Sequence, residues 1–232
     1  MPEENFAWNT RKYIDLVENG TDEGLQQYQK AEIDYLTSKV ESPQDKTFVD
    51  VGAGYGRILP QLSGTAKRVI AVELDENLSE SLSKRVKSYP NCEVVIGDAN
   101  QLSTLLAESD ITKPVLVSVQ NCLGPWVGDR YQAIDEMRKI AEPRRGEVII
   151  SLFCRESMKE WGLPMYQSIS GLLGEYDPDS SDLEKGIYRT KTGYESYWFS
   201  KDEREAIKGR LGGQIAGEIV DPKFHIIHVT YT

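Results

Sequence analysis

Three acidic residues close three short apolar runs, and their spacing is the first sign of chemistry in the chain. Asp50 lies in Thr47–Val51 (TFVDV), Glu73 ends Arg68–Glu73 (RVIAVE), and Asp98 follows Glu93–Ile96 in the sequence IGDA. Directly after the first run comes Gly52-Ala53-Gly54-Tyr55-Gly56. Glycines at a strand-to-helix junction let the backbone turn tightly and let a ligand come close to the main chain. The loop is not a dinucleotide fingerprint, because its third glycine comes one residue early and Arg57 stands where that glycine belongs. Nor does the chain contain a G-x-x-x-x-G-K-[ST] loop for a triphosphate. Asp50 places an anion beside the loop, which suits a cationic ligand better than a phosphate. Taken singly, Asp50 reads as a turn former, Glu73 as a solvated strand end and Asp98 as a helix cap.

The elements that must carry these residues alternate. After a helical stretch over 24–40 come runs at 47–51, 68–73, 93–96, 115–119 and 147–153, each of strand length. Between them lie helical patterns, one capped by Asp75 with Leu78, Leu82 and Val86 recurring, another opened by Asp129 and Gln132 as a capping box. Five strands alternating with helices imply a doubly wound α/β fold whose sheet is mostly parallel. Two last strands, near 214–220 and 224–231, are joined only by Asp221-Pro222-Lys223, which suits an antiparallel hairpin. The expectation is therefore a seven-stranded sheet with helices on both faces and a C-terminal antiparallel hairpin. In such a sheet the three acids share one crevice at the carboxyl ends of neighbouring strands. Residues 1–46 read as an N-terminal helical cap and 47–232 as the binding domain. An aromatic insertion over 154–199 interrupts that domain, and its second half, IYRTKTGYESYWF, reads as a hairpin turning near Thr192-Gly193.

The D-x-G-x-G-x-G pattern from Asp50 to Gly56 resembles the first motif of class I S-adenosylmethionine-dependent methyltransferases. The resemblance is close over 47–153 and architectural over 200–231. It implies S-adenosyl-L-methionine as cofactor, with Asp50, Gly52, Ala53, Gly54 and Gly56 among the residues that bind it. It further implies that Glu73 accepts from the ribose hydroxyls, with Leu74 in the same cofactor set, and that Asp98 and the Ala99 N–H read adenine. Gln120 is counted with the cofactor residues, with orienting a polar acceptor as its alternative role. The chain departs from the family at SDITKPVLVSV and EPRRGEV, where the family often has S-F-D-x-[VI] and P-G-G. Neither departure touches a cofactor contact. Methyl transfer from a sulfonium needs in-line positioning above all, so no catalytic residue is singled out.

The acceptor side is less determined. After the fourth strand the chain reads Gln120-Asn121-Cys122-Leu123-Gly124-Pro125-Trp126, where adenine and cytosine amino-methyltransferases have [DNS]-P-P-[YFW]. Asn121 and Trp126 are candidates to face an acceptor. So are Tyr194, Tyr197 and Trp198 from the insertion, and Tyr13 with Trp8 from the N-terminal arm, whose rings suit a planar or cationic group. A net charge of −10 argues against a partner bound through phosphates. The expected acceptor is a small molecule, with no nucleic acid and no membrane partner. The alternative from another class is a non-catalytic cofactor-binding subunit. A nicotinamide oxidoreductase is disfavoured by the loop spacing and the terminal hairpin. No stretch of apolar residues is long enough to span a bilayer, and the polar N-terminus suggests the cytoplasm. Cys92, Cys122 and Cys154 lie too far apart for a metal site, and His225 and His228 would point to opposite sheet faces.

Overall fold

A computed structural model describes residues 10–126 and 128–232. Its helices and strands run α1 (Thr10–Asn19), α2 (Glu23–Ser38), β1 (Thr47–Val51), α3 (Leu59–Ser63), β2 (Arg68–Glu73), α4 (Glu76–Val86), β3 (Cys92–Ile96), α5 (Leu102–Leu105) and β4 (Val115–Ser118). They continue as α6 (Arg130–Ala141), β5 (Glu147–Phe153), α7 (Leu163–Ser168), α8 (Ser170–Leu173), β6 (Ile187–Arg189), β7 (Glu195–Tyr197), α9 (Lys201–Leu211), β8 (Gln214–Val220) and β9 (Phe224–Thr230). The main sheet has the order β3-β2-β1-β4-β5-β9-β8. Its first five strands are parallel, and β9 runs antiparallel between β5 and β8. The doubly wound, mostly parallel sheet with a terminal hairpin is thus the fold of this protein.

Alternation along the strands sorts the core into two layers. Phe48, Val69, Val115 and Ile149 face α2 and α3, meeting Tyr28, Leu36, Leu59 and Leu62. Their neighbours Val49, Ile70, Leu116 and Ile150 face α6 and α9, meeting Ile134, Met137 and Ile207. Because β1 is followed outward by β2 and β3, and the chain then returns to β4, the order reverses between β1 and β4. That reversal opens a crevice at their carboxyl ends, the place where sheets of this kind bind ligands.

Local signals account for the boundaries. Asp75 caps α4 through the N–H groups of Asn77 and Leu78, and Ser200 with Glu203 closes a full capping box on α9. The box expected at Asp129 does not close. Asp129 accepts from the Tyr131 N–H, but the Gln132 amide turns away and donates to the Asn100 carbonyl at 2.8 Å. The short α5 is preceded by a tight turn that Asp98 caps at the Asn100 N–H. His225 and His228 do point to opposite faces. His225 pairs with Glu218 at 2.8 Å, and burial holds its pKa below the usual histidine value; His228 pairs with Glu147 at 2.9 Å.

The insertion after β5 is built on its own aromatic residues. Tyr166 stacks on Tyr188 with centroids 4.2 Å apart, and Trp198 packs against Phe153 at 4.6 Å and Trp161 at 5.4 Å. Strands β6 and β7 form the expected hairpin, with Gly193 at a φ of 87° in its turn. Among the described residues no helix is long and apolar enough to cross a membrane.

Candidate active site

At the carboxyl edge of the parallel strands lies a cavity of about 390 Å³. One end is walled by the glycine loop, Asp50, Glu73, Asp98 and Trp126. The other end is walled by α2 and the insertion, through Leu25, Met165, Tyr166, Ile169 and Tyr194. The strand ends therefore bring the three acids into one space, and the insertion roofs it.

The glycine loop leaves β1 by a left-handed step. Gly52 has a φ of 74°, and a Cβ there would sit 2.0 Å from the Cys122 Sγ. Only glycine fits this turn against the segment that follows β4. Glu73 supports the same loop. One of its carboxylate oxygens accepts from the Gly54 N–H at 2.7 Å, and the other accepts from Leu74 and Asp75 at 2.9 and 2.8 Å. Burial raises its pKa, and these three donors work against that rise. A carboxylate has room for about four hydrogen bonds, so one acceptor direction is left for a ligand hydroxyl.

Asp50 and Arg57 carry the clearest mark of a binding site. Asp50 is buried with its Oδ2 unpartnered, and burial pushes its pKa up to about 7 although Arg57 pulls the other way. The Arg57 Nη1 is likewise buried without a partner. Burial works against the Arg57 charge, but Glu32 together with Tyr13 and Tyr28 favours it, and the guanidinium's pKa stays above its ordinary value. Two orphaned groups of opposite charge on one cavity match a ligand end that carries both an ammonium and a carboxylate.

Of the residues expected from sequence, Asp50, Gly52, Ala53, Gly54, Glu73, Leu74, Asp98, Ala99 and Gln120 line the cavity, as do Tyr13, Asn121, Trp126 and Tyr194. Gly56 lies behind the loop, where an added Cβ would strike Leu59 and Leu82. Trp198 is fully buried in the insertion core and donates its indole N–H to the Tyr166 hydroxyl at 3.0 Å. Tyr197 lies off the cavity, hydrogen-bonded to Glu203 and Arg155, with Arg130 over its ring at 4.3 Å. Asn121 lines the cavity, but its amide is committed elsewhere: Oδ1 accepts from the Phe153 N–H at 2.9 Å and Nδ2 donates to the Tyr197 carbonyl at 3.2 Å. Trp126 stands on the Asp98 side, donating to the Asn100 side chain at 3.3 Å. The Tyr13 ring stands over the glycine loop, edge-on to Tyr55 at 5.7 Å. Trp8 lies outside the described residues.

Sequence reasoning did not single out Arg57, Glu32, Tyr28, Met165 or Tyr166 as site residues. The signal for Arg57 was present, since it stands in the slot of the absent glycine. The others come from distant segments that nothing in their local pattern ties to the loop. Among the described residues, no cluster of histidine, cysteine and acids could hold a metal.

A sequence profile of the ribosomal RNA adenine dimethylase family matches residues 28–123. The probable ribosomal RNA small subunit methyltransferase A of Methanosarcina acetivorans is 48% identical over 58 residues, which is 25% of this chain and 21% of that protein. Its counterpart in Thermotoga maritima is 42% identical over 57 residues, 25% of this chain and 20% of that protein. The chain thus spans about a fifth of the length of these curated relatives. Among solved structures, the CcbJ methyltransferase of Streptomyces caelestis superposes with a TM-score of 0.66 at 13% identity, covering 99% of this chain and 100% of that one. Magnesium protoporphyrin IX methyltransferase from Synechocystis superposes with a TM-score of 0.61 at 16% identity, covering 96% and 94%. The sequence relatives overturn two expectations, a small-molecule acceptor and the exclusion of nucleic acid, because they are named for methylation of ribosomal RNA. Net charge misled here because it sums the whole surface, whereas phosphate contact depends only on the cations at one face. The profile match spans the strands that carry the glycine loop and the three acids, and the solved neighbours share the fold of the whole chain.

Proposed function

We propose that the protein transfers a methyl group from S-adenosylmethionine to a base of ribosomal RNA, and so works in the cytoplasm. The observation that carries the reading is the convergence of Asp50, Glu73 and Asp98 with the glycine loop on one cavity, within the segment matched by the ribosomal RNA methyltransferase profile. Bound there, the cofactor supplies an electrophilic methyl on a sulfonium. Asp50 and Arg57 hold its amino-acid end, Glu73 accepts from its ribose, and Asp98 with the Ala99 N–H reads its adenine. The chain's own contribution is to hold the acceptor in line and dry.

The acceptor end suits a base taken out of its stack. Tyr194 and Tyr166 line this end together with Met165, Ile169 and Leu173, a mostly apolar and aromatic wall of the kind that receives a flipped base. Gln120, at the carboxyl end of β4, stands where [DNS]-P-P-[YFW] begins in the amino-methyltransferases and can accept from an exocyclic amine. The test is transfer of labelled methyl from S-adenosylmethionine to purified small-subunit ribosomal RNA and to undermethylated small subunits, followed by mapping of the modified base. Label in one defined base supports the reading. Binding of cofactor with no transfer to either RNA substrate refutes the RNA acceptor.

A further inference from the structure

The Arg57 side chain lines the cavity, yet what orients it comes from outside the cofactor motif. Glu32, in the middle of α2, is buried with its whole side chain inaccessible. Its Oε2 accepts from Arg57 Nη2. Its Oε1 accepts from the Gln120 backbone N–H and from the Ser151 hydroxyl. Four residues earlier on the same helix face, the Tyr28 hydroxyl accepts from the Asn121 N–H at 2.8 Å and bonds Ser151 at 2.6 Å. Gln120 and Asn121 both take left-handed backbone, with φ of 58° and 50°. Two consecutive non-glycine residues persist there only when their surroundings hold them.

We propose that Glu32 is a positioning residue for the cofactor's amino-acid end, acting through Arg57. The inference rests on the cofactor reading above. One carboxylate grips the guanidinium with one oxygen, and the other oxygen is locked to the start of the post-β4 turn and to β5. The guanidinium is thereby held by one edge, leaving Nη1 as the donor without a partner. A carboxylate bound in the cavity can satisfy that donor, and the Glu32 grip fixes where it must lie. A glutamine at 32 keeps the shape of the side chain but carries no charge and offers one acceptor oxygen in place of two, so it cannot hold Arg57 and the turn together.

The experiment compares two nucleosides by calorimetry. S-adenosylhomocysteine carries the amino-acid end, and 5′-methylthioadenosine shares the adenosine and sulfur without it. In the wild type, S-adenosylhomocysteine is expected to bind at least about 10-fold more tightly, the worth of one charged hydrogen-bonded pair. In Glu32→Gln its affinity falls by about that factor while methylthioadenosine binds as before. Arg57→Lys keeps a charge against Glu32 but loses the fork, and it serves as the second variant should Glu32→Gln not fold. It is expected to show the same selective loss. Equal weakening of both nucleosides, or no weakening of either, overturns the proposal. A wild type that binds both equally well also overturns it, while leaving the cofactor pocket intact. A wild type that binds neither refutes the cofactor reading itself.

Discussion

Asp50 should make cofactor binding depend on pH, with a magnitude that follows from its burial. In the free protein its pKa is pushed up to about 7, chiefly because the carboxylate is removed from water. A bound ammonium beside its unpartnered Oδ2 favours the ionised form, so binding below that pKa must first remove a proton. Each pH unit below about 7 then weakens binding about tenfold, which makes S-adenosylhomocysteine roughly 100-fold weaker at about pH 5 than at about pH 8, or about 2.7 kcal/mol. Calorimetry across that range, in buffers of different ionisation enthalpy, should also detect a released proton near pH 6. Glu73 contributes in the same direction, since burial raises its pKa too. Asp50→Asn therefore serves as the reference, and the difference between the two profiles belongs to Asp50. Affinity that is flat with pH, or an unchanged profile in Asp50→Asn, would refute the argument. The sign for stability is the opposite one. An acid whose folded pKa is raised weakens the fold as pH rises through the interval from about 4 to about 7, because the unfolded chain loses its proton first. The ligand-free protein should therefore melt lower at about pH 8 than at about pH 5 on this account, and Asp50→Asn should remove that difference.

Four further outcomes follow. Gly52→Ala puts a Cβ 2.0 Å from the Cys122 Sγ at a φ of 74°, so it should cost at least about tenfold in S-adenosylhomocysteine affinity by calorimetry with circular dichroism unchanged. Asp98→Ala removes both the turn cap on Asn100 and the proposed adenine contact, and should weaken S-adenosylhomocysteine and methylthioadenosine alike by about tenfold. Trp198→Ala hollows the insertion core and should cost about 3–5 kcal/mol in urea unfolding without a comparable loss of nucleoside affinity. RNA binding should depend weakly on salt. The basic clusters of the chain, such as Lys84-Arg85 and Arg144-Arg145, are short, and about two or three phosphate contacts from one of them give roughly a tenfold loss between about 50 and 200 mM salt. A fall of a thousandfold or more would show a basic docking face that the sequence does not reveal.

How far the sequence reached can be told element by element. Apolar runs of strand length, separated by capped helical patterns, were enough to specify the alternation, and Asp221-Pro222-Lys223 was too short for anything but a hairpin between β8 and β9. The glycine loop and the acids at three strand ends were legible because the backbone chemistry of each lies within a few neighbouring residues. The capping box at Asp129 was misread because the Gln132 amide found a better partner in Asn100, a competitor 32 residues away. The aromatic insertion was visible as composition, but which rings pack and which face the cavity was not. Trp198 and Tyr197 read as well as Tyr194 in sequence, and only the packing of Phe153 and Trp161 against Trp198 buried the one and left Tyr194 on the cavity. The acceptor was misjudged from net charge, a sum over the whole chain that carries no position.

By itself, then, the sequence determined the order of elements, the turn that only glycine can make, and the charge at each strand end, since these depend on local backbone preference and on periodicity. Tertiary structure alone decided which side chains meet. The grip of Glu32 on Arg57 spans 25 residues, its bond to Gln120 spans 88, and its bond to Ser151 spans 119. No local pattern encodes such pairings, because they form only when burial of the two core layers brings α2 across the ends of β1, β4 and β5.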